Sequence, residues 1–201
     1  MGTARYDGIA DWYDNEFQPA PLESETWEVL VRLLGEPDGS LLDVGCGTGS
    51  YTAALAELGW DATGVDISED MLRRANARGV RTVHADATSL PFEDASFDAA
   101  TSVLTNTDLD DLAAAVREVA RVLRPGAPLV YLAVHPCFVG PHSIYDPEGI
   151  PELHPGWYRR EGRYTEAPGV WRASGVRIRV GATHLPLGRF LQTFIDAGLR
   201  L

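Results

Sequence analysis

The residues with the clearest chemistry are a run of glycines and three acids. The run is Asp43-Val44-Gly45-Cys46-Gly47-Thr48-Gly49, and Asp66 and Asp86 follow further along the chain. Glycine lets the backbone turn tightly and lets a ligand approach without meeting a Cβ. Asp66 could accept from both hydroxyls of a ribose, and Asp86 from an adenine amino group. Asp43, beside the loop, suits a ligand with an ammonium group and a cationic sulfonium better than one with a pyrophosphate. Dinucleotide sites favour G-x-G-x-x-G, and here the third position is Ser50. Plainer readings exist: a glycine-rich turn proves little alone, and a single acid is often a cap or turn former. Three acids at the ends of three successive strands converge on the crevice where open α/β sheets bind ligands.

The elements that must hold these residues alternate between strand-like and helical patterns. Leu41–Val44 is an apolar run feeding the loop, and Tyr51–Leu58 reads as a helix stopped by Gly59. Ala62–Val65 is a second strand, with Ser68 as N-cap and Glu69 and Asp70 at the positive end of the next helix. Val80–Ala85 and Phe97–Leu104 read as strands three and four. Between Leu109 and Leu123, apolar residues recur at spacings of three and four, predicting a helix ended by Pro125-Gly126. Leu129–Val134 is a fifth, nearly continuous apolar strand, as a sheet covered on both faces requires. A last amphipathic helix carries Phe190, Leu191, Phe194 and Ile195. The pattern predicts an α/β fold with a mainly parallel sheet and helices on both faces.

Composition narrows the partners. The 201 residues are 45% hydrophobic and 23% charged, with a formal net charge of −12. That charge argues against nucleic acid and against adsorption to anionic lipid. No apolar run is long enough for a membrane span, and Met1–Phe17 is too polar for a signal peptide. Cys46 and Cys137 suggest no disulfide framework, so the expectation is a cytoplasmic protein.

In combination, Asp43–Gly49, Gly64-Val65-Asp66-Ile67-Ser68, Ala85-Asp86-Ala87, Leu90-Pro91-Phe92 and Ser96-Phe97-Asp98 resemble the motifs of class I S-adenosylmethionine-dependent methyltransferases. Val119-Ala120-Arg121-Val122-Leu123-Arg124-Pro125-Gly126 is similar to the branch containing the ubiquinone- and menaquinone-biosynthesis enzymes, known as methyltransferase type 11. The resemblance covers roughly residues 40 to 135 and implies a Rossmann-like core. It implies that Gly45, Gly47 and Gly49 pack against the methionine portion of S-adenosylmethionine. Asp66 would hold the ribose, and Ile67 and Met71 would lie against the adenine. Asp86 and Ala87 would recognise the adenine edge, and Ser102 would meet the amino-acid end through its backbone. Tyr6 and Tyr13 resemble aromatic positions that close over the cofactor, although helix packing explains them as well. The product would be S-adenosylhomocysteine.

The implied organisation is an N-terminal helical cap over 1–39, the cofactor-binding core over 40–135, an insert over 136–180 and a C-terminal core helix over 181–201. The family's sheet usually ends in an antiparallel hairpin, for which this chain has no room after Gly198. The insert is rich in Pro, Gly and aromatic residues, and reads as a lid forming the acceptor pocket. Phe138, Tyr145, Trp157, Tyr158, Tyr164 and Trp171 would either wall an apolar acceptor or form a small core of their own. Six arginines against five acids hint at an anionic acceptor, though Val176-Arg177-Ile178-Arg179-Val180 also reads as a half-exposed strand. His135, at the end of strand five, is the candidate general base, ahead of His142 and His184. Each has the plainer reading of a hydrogen-bonded structural or surface histidine.

The leading expectation is methyl transfer to a small-molecule acceptor. Alternatives are a protein of the same fold that binds the cofactor without transferring methyl, and a methyltransferase of proteins. An RNA methyltransferase is disfavoured by acidity, and a nicotinamide oxidoreductase by Ser50 with the strand-end acids. A homodimer is left open, and no metal site is expected.

Overall fold

Apolar runs of four to six residues between helices form the predicted parallel sheet. The computed structural model describes residues 4–17, 23–137, 156–165 and 175–201, and the backbone of 143–145 and 151–153. Strands β1 (Ser40–Val44), β2 (Asp61–Asp66), β3 (Arg81–His84), β4 (Ala99–Val103) and β5 (Leu129–Leu132) lie in the order β3-β2-β1-β4-β5. All four pairings are parallel, with Asp43 opposite Gly64 and Val44 opposite Val65. Strand order reverses direction on either side of β1, so the loop after β1 opens at the switch point where such sheets bind ligands.

Alternation along the strands sends side chains to two cores. Leu42, Val44, Val65 and Ala100 pack with Val119 and Val122 of α5 (Leu112–Val122). Leu41, Ala62 and Ala99 pack on the other face with Leu30 and Leu34 of α2 (Glu25–Leu34) and Leu55 of α3 (Ser50–Leu58). Helices therefore cover both faces. The Rossmann-like α/β fold is observed. Five strands make up this sheet among the described residues.

Several predicted bounds shrink. Strands four and five end one and two residues early, and β3 stops at His84, two residues before Asp86. The fifth helix starts at Leu112 rather than Leu109, because Asp108 and Leu109 turn back onto the Thr105 carbonyl. The alternation in Val176–Val180 misleads: Arg177–Val180 is a helical turn, α6, with Val176 and Val180 buried on one side. Gly181 ends it at φ +67°, and the Arg163 guanidinium takes the Val180 carbonyl.

By its internal contacts the chain divides into two units. The first holds the sheet up to Val103 together with Ala114–Leu132, and the second holds Leu104–Ala113 with the described residues beyond Ala133. In the second, β6 (Ser143–Tyr145) pairs β7 (Pro151–Leu153), and β8 (Gly162–Tyr164) pairs β9 (Ala182–His184), both antiparallel. Helix α7 (Leu187–Asp196) buries Phe190 and Phe194. No helix among the described residues is long and apolar enough to cross a membrane.

Candidate functional site

The glycine loop is woven into the neighbouring strand ends. Gly45 and Cys46 N–H groups both donate to the Val65 carbonyl, at 2.8 and 3.0 Å. The Asp66 carboxylate accepts from Gly47 N–H and from Ser68 N–H, each at 2.9 Å. Ala85 N–H donates to the Asp66 carbonyl at 3.1 Å, which brings Asp86 alongside. The ends of β1, β2 and the loop after β3 thus form one connected rim. Asp86 folds as an Asx turn, accepting from Thr88 N–H and Oγ–H. Asp66 and Asp86 are both partly exposed.

The three loop glycines do different work. All have positive φ: +71° at Gly45, +54° at Gly47 and +79° at Gly49. A Cβ at Gly47 would meet nothing within 4 Å, which leaves a cradle at the centre of the rim. A Cβ at Gly49 would lie 2.7 Å from the Ala75 Cβ, so this glycine lets α4 (Glu69–Ala77) approach α3. On β2, Gly64 leaves room for Cys46, whose Sγ would stand 2.7 Å and Cβ 2.9 Å from an added Cβ.

Asp43 differs from the sequence reading. It is 2% exposed, and its oxygens accept from Thr52 Oγ–H at 2.6 Å and Thr101 Oγ–H at 3.0 Å. It faces the α3 side of the sheet, where Thr52 holds it. Burial pushes its pKa up to about 6; the two hydroxyls pull it down and the Asp66 charge adds to the rise. Ser102 is also buried, its hydroxyl donating to the Val44 carbonyl at 3.0 Å. Met71 is buried in the first turn of α4, which Ser68 caps through Met71 N–H, while Ile67 and Ala87 are half-buried. Tyr13 opens a π-helical turn, Tyr13–Phe17, with its ring edge-on to Tyr6 at 5.5 Å.

The histidines separate. His135 belongs to the second unit and is exposed, and its Nδ1 accepts from Cys137 N–H at 3.2 Å. That bond assigns the proton of the neutral ring to Nε2. His184 is buried and donates through Nε2 to the Tyr158 carbonyl at 2.9 Å. The Tyr158 ring lies edge-on to His184, and its hydroxyl accepts from Leu187 N–H at 2.8 Å. Tyr158, half-buried, is thus engaged with His184 and Leu187 within the second unit. Burial raises the Tyr164 hydroxyl to about 12. His142, Phe138 and Trp171 lie outside the described residues, as does the side chain of Tyr145.

Sequence reasoning missed Thr52 and Thr101, which hold Asp43, and Asp14, Arg74 and Arg78, which join the N-terminal segment to α4. No local pattern announces the latter, since the partners are about sixty residues apart. The position of Thr52 two residues into a helix after the loop was the available signal for the first pair.

The rim fits an adenosyl amino acid. The open cradle at Gly47 leaves room for a ligand, and the acids beside it could accept hydroxyl and amino hydrogens. The profile of the methyltransferase domain family matches residues 42–131. A malonyl-[acyl-carrier protein] O-methyltransferase of Pseudescherichia vulneris is 32% identical over 164 residues, 80% of this chain and 60% of that protein. A demethylmenaquinone methyltransferase of Staphylococcus aureus is 39% identical over 116 residues, 52% of this chain and 48% of that protein. A solved S-adenosylmethionine-dependent methyltransferase from Mesorhizobium loti matches at TM-score 0.71 and 28% identity, over 87% of this chain and 81% of that one. The chain spans about half to three-fifths of the length of these curated relatives. Residues 42–131 thus match the methyltransferase domain family, and the fold around them is that of a solved S-adenosylmethionine-dependent methyltransferase.

Proposed function

We propose that this chain binds S-adenosylmethionine at the β1–β3 rim and directs its methyl group onto a small-molecule acceptor. The carrying observation is the connected rim, in which the Asp66 carboxylate holds Gly47 N–H beside an open cradle. In this reading Asp66 takes the ribose hydroxyls, and Asp86 and Ala87 the adenine edge, with Ile67 and Met71 along its face. Gly45, Gly47 and Gly49 let the methionine portion approach, the Ser102 backbone meets its amino-acid end, and Tyr13 closes over the site.

The cofactor supplies an activated methyl group: its C–S bond breaks as the bond to the acceptor forms, and sulfur keeps the electron pair. The protein's share is orientation and exclusion of water. A base matters only where the acceptor must lose a proton. His135 is the candidate, but its ring is set to donate at Nε2, since Nδ1 is taken up by Cys137 N–H. An acceptor that arrives already nucleophilic needs no such base.

Calorimetric titration with S-adenosylhomocysteine tests the proposal, with NAD and Asp66→Ala as controls. The expected result is saturable binding to the wild type and none of NAD. Asp66→Ala should weaken binding roughly tenfold or more, the loss of one or two hydrogen bonds to a charged acceptor. A folded chain that binds no S-adenosylhomocysteine overturns the proposal. Mass spectrometry of candidate acceptors then separates transfer from binding alone: bound cofactor without any methylated product favours the non-transferring reading.

A further inference from the structure

Residues 4–17 carry aspartates at positions 7, 11 and 14, and the Ser68–Arg78 stretch presents Ser68, Arg74 and Arg78. Spacings of three and four along one chain and of four along the other line up side chains on facing surfaces. They meet in order. Asp7 accepts from Ser68 Oγ–H at 2.6 Å, and Gly8 N–H donates to Asp70 at 2.6 Å. Arg74 Nε donates to Asp11 at 2.8 Å, and its Nη1 to Asp14 at 3.1 Å. Arg78 Nη2 donates to both oxygens of Asp14, each at 2.8 Å.

Arg78 also reaches the glycine loop. Its Nη1 donates to the Thr48 carbonyl at 2.9 Å, between the two positive-φ glycines 47 and 49. A loop with so much backbone freedom needs an outside contact to fix its peptide planes. Exposed ion pairs contribute little, but Asp14 is only 8% exposed, so losing the half-buried Arg78 guanidinium leaves a buried carboxylate with Arg74 as its remaining cation. Burial raises the Asp14 carboxyl, yet Arg78, the Thr48 hydroxyl and Arg74 together leave it below its ordinary value.

We propose that Arg78 and Asp14 are positioning residues of the cofactor site. The Arg78 guanidinium ties the Thr48 carbonyl of the glycine loop to the segment that bears Tyr13, so cofactor binding and the seating of residues 4–17 are coupled. This rests on the cofactor reading above. Neither residue touches the reacting atoms. Coupling of this kind is reciprocal: whatever a seated segment adds to cofactor affinity, bound cofactor adds to the seating.

The test uses the full chain as wild type, Arg78→Gln, Arg78→Lys, Asp14→Asn and the Asp14→Asn/Arg78→Gln double variant. Two quantities are read: the Kd for S-adenosylhomocysteine, and the slowing of hydrogen exchange over residues 4–17 that it causes. Each single loss should raise Kd on the order of tenfold, and the double variant should be no worse than the worse single. The slowing of exchange over 4–17 should vanish with the pair, a decoupling that a merely structural residue would not produce. Arg78→Lys keeps the charge without the fork and should recover only part of the affinity. Should Arg78→Gln fail to fold, Asp14→Asn carries the same test with the Thr48 contact intact. Unchanged Kd in folded variants, or exchange over 4–17 that cofactor leaves unaltered in the wild type, overturns the coupling. A wild type that binds no S-adenosylhomocysteine overturns the cofactor reading itself, and the coupling with it.

Discussion

Asp43 is a residue whose ionisation the folded state resists. Its pKa is pushed from an ordinary 3.8 up to about 6, chiefly by burial. A carboxyl raised on folding contributes stability that is fully present below about pH 3.8 and is lost as pH rises through about 6. Two units correspond to about 3 kcal/mol. Asp43→Asn removes that titration, while its amide keeps one acceptor and one donor for the rotatable hydroxyls of Thr52 and Thr101. The stability of the variant relative to wild type, from urea unfolding, should therefore rise between about pH 4 and 6 and level off above. A difference that stays flat across that range would sink the claim. The sequence placed Asp43 beside the loop but did not reveal its partners Thr52 and Thr101, because position in a strand does not say which face a side chain serves.

The loop and the elements it joins separate two kinds of glycine. Gly49→Ala adds a Cβ 2.7 Å from Ala75 at φ +79°. Overpacking and left-handed strain together should destabilise the fold by about 2–4 kcal/mol. Gly47→Ala adds its Cβ to open space, so the expected fold penalty is about 1–2 kcal/mol from backbone strain alone. Its larger effect should be on cofactor affinity, since the new methyl stands in the cradle. Thermal melts beside titrations decide this, and equal melting losses would contradict it. Strand and helix order was legible because short apolar runs such as Leu41–Val44 alternate with stretches such as Val116–Leu123, whose apolar residues recur at spacings of three and four. The one-turn helix at Arg177–Val180 was not, since V-R-I-R-V alternates like a strand and only the Arg177–Asp108 contact at 2.7 Å and its packing override that pattern. The Asp14–Arg78 clasp was equally invisible, being a pairing across 64 positions.

The molecule's formal charge of −12 acts over a longer range than any of these contacts. On the proposed function, S-adenosylmethionine carries one more positive charge than its demethylated product, so the field should draw in the first and leave the second unaffected. Raising salt from about 0.02 to about 0.5 M shortens the screening length from roughly 20 to roughly 4 Å. Stopped-flow association should then slow a few-fold for S-adenosylmethionine, and stay level for S-adenosylhomocysteine. Parallel salt slopes for the two would show that the charge has no such role. Composition made this sign of field legible at once, and it also directed the reading away from RNA. The division into two units was not legible, because Leu104–Ala113 leaves the sheet's sequence neighbourhood to join residues such as Arg177 and Thr183, 69 and 73 positions from their partners Asp108 and Asp110.

Gly64 and Cys46 share a space that holds only one side chain. Gly64 sits at an unremarkable φ, and what forbids a substituent there is Cys46, whose Cβ as well as Sγ would be too close. For descendants of this sequence the order of mutation is therefore constrained. Alanine at 64 is accessible only to lineages that have already accepted glycine at 46, and a lineage that keeps any side chain at 46 stays locked to glycine on the neighbouring strand.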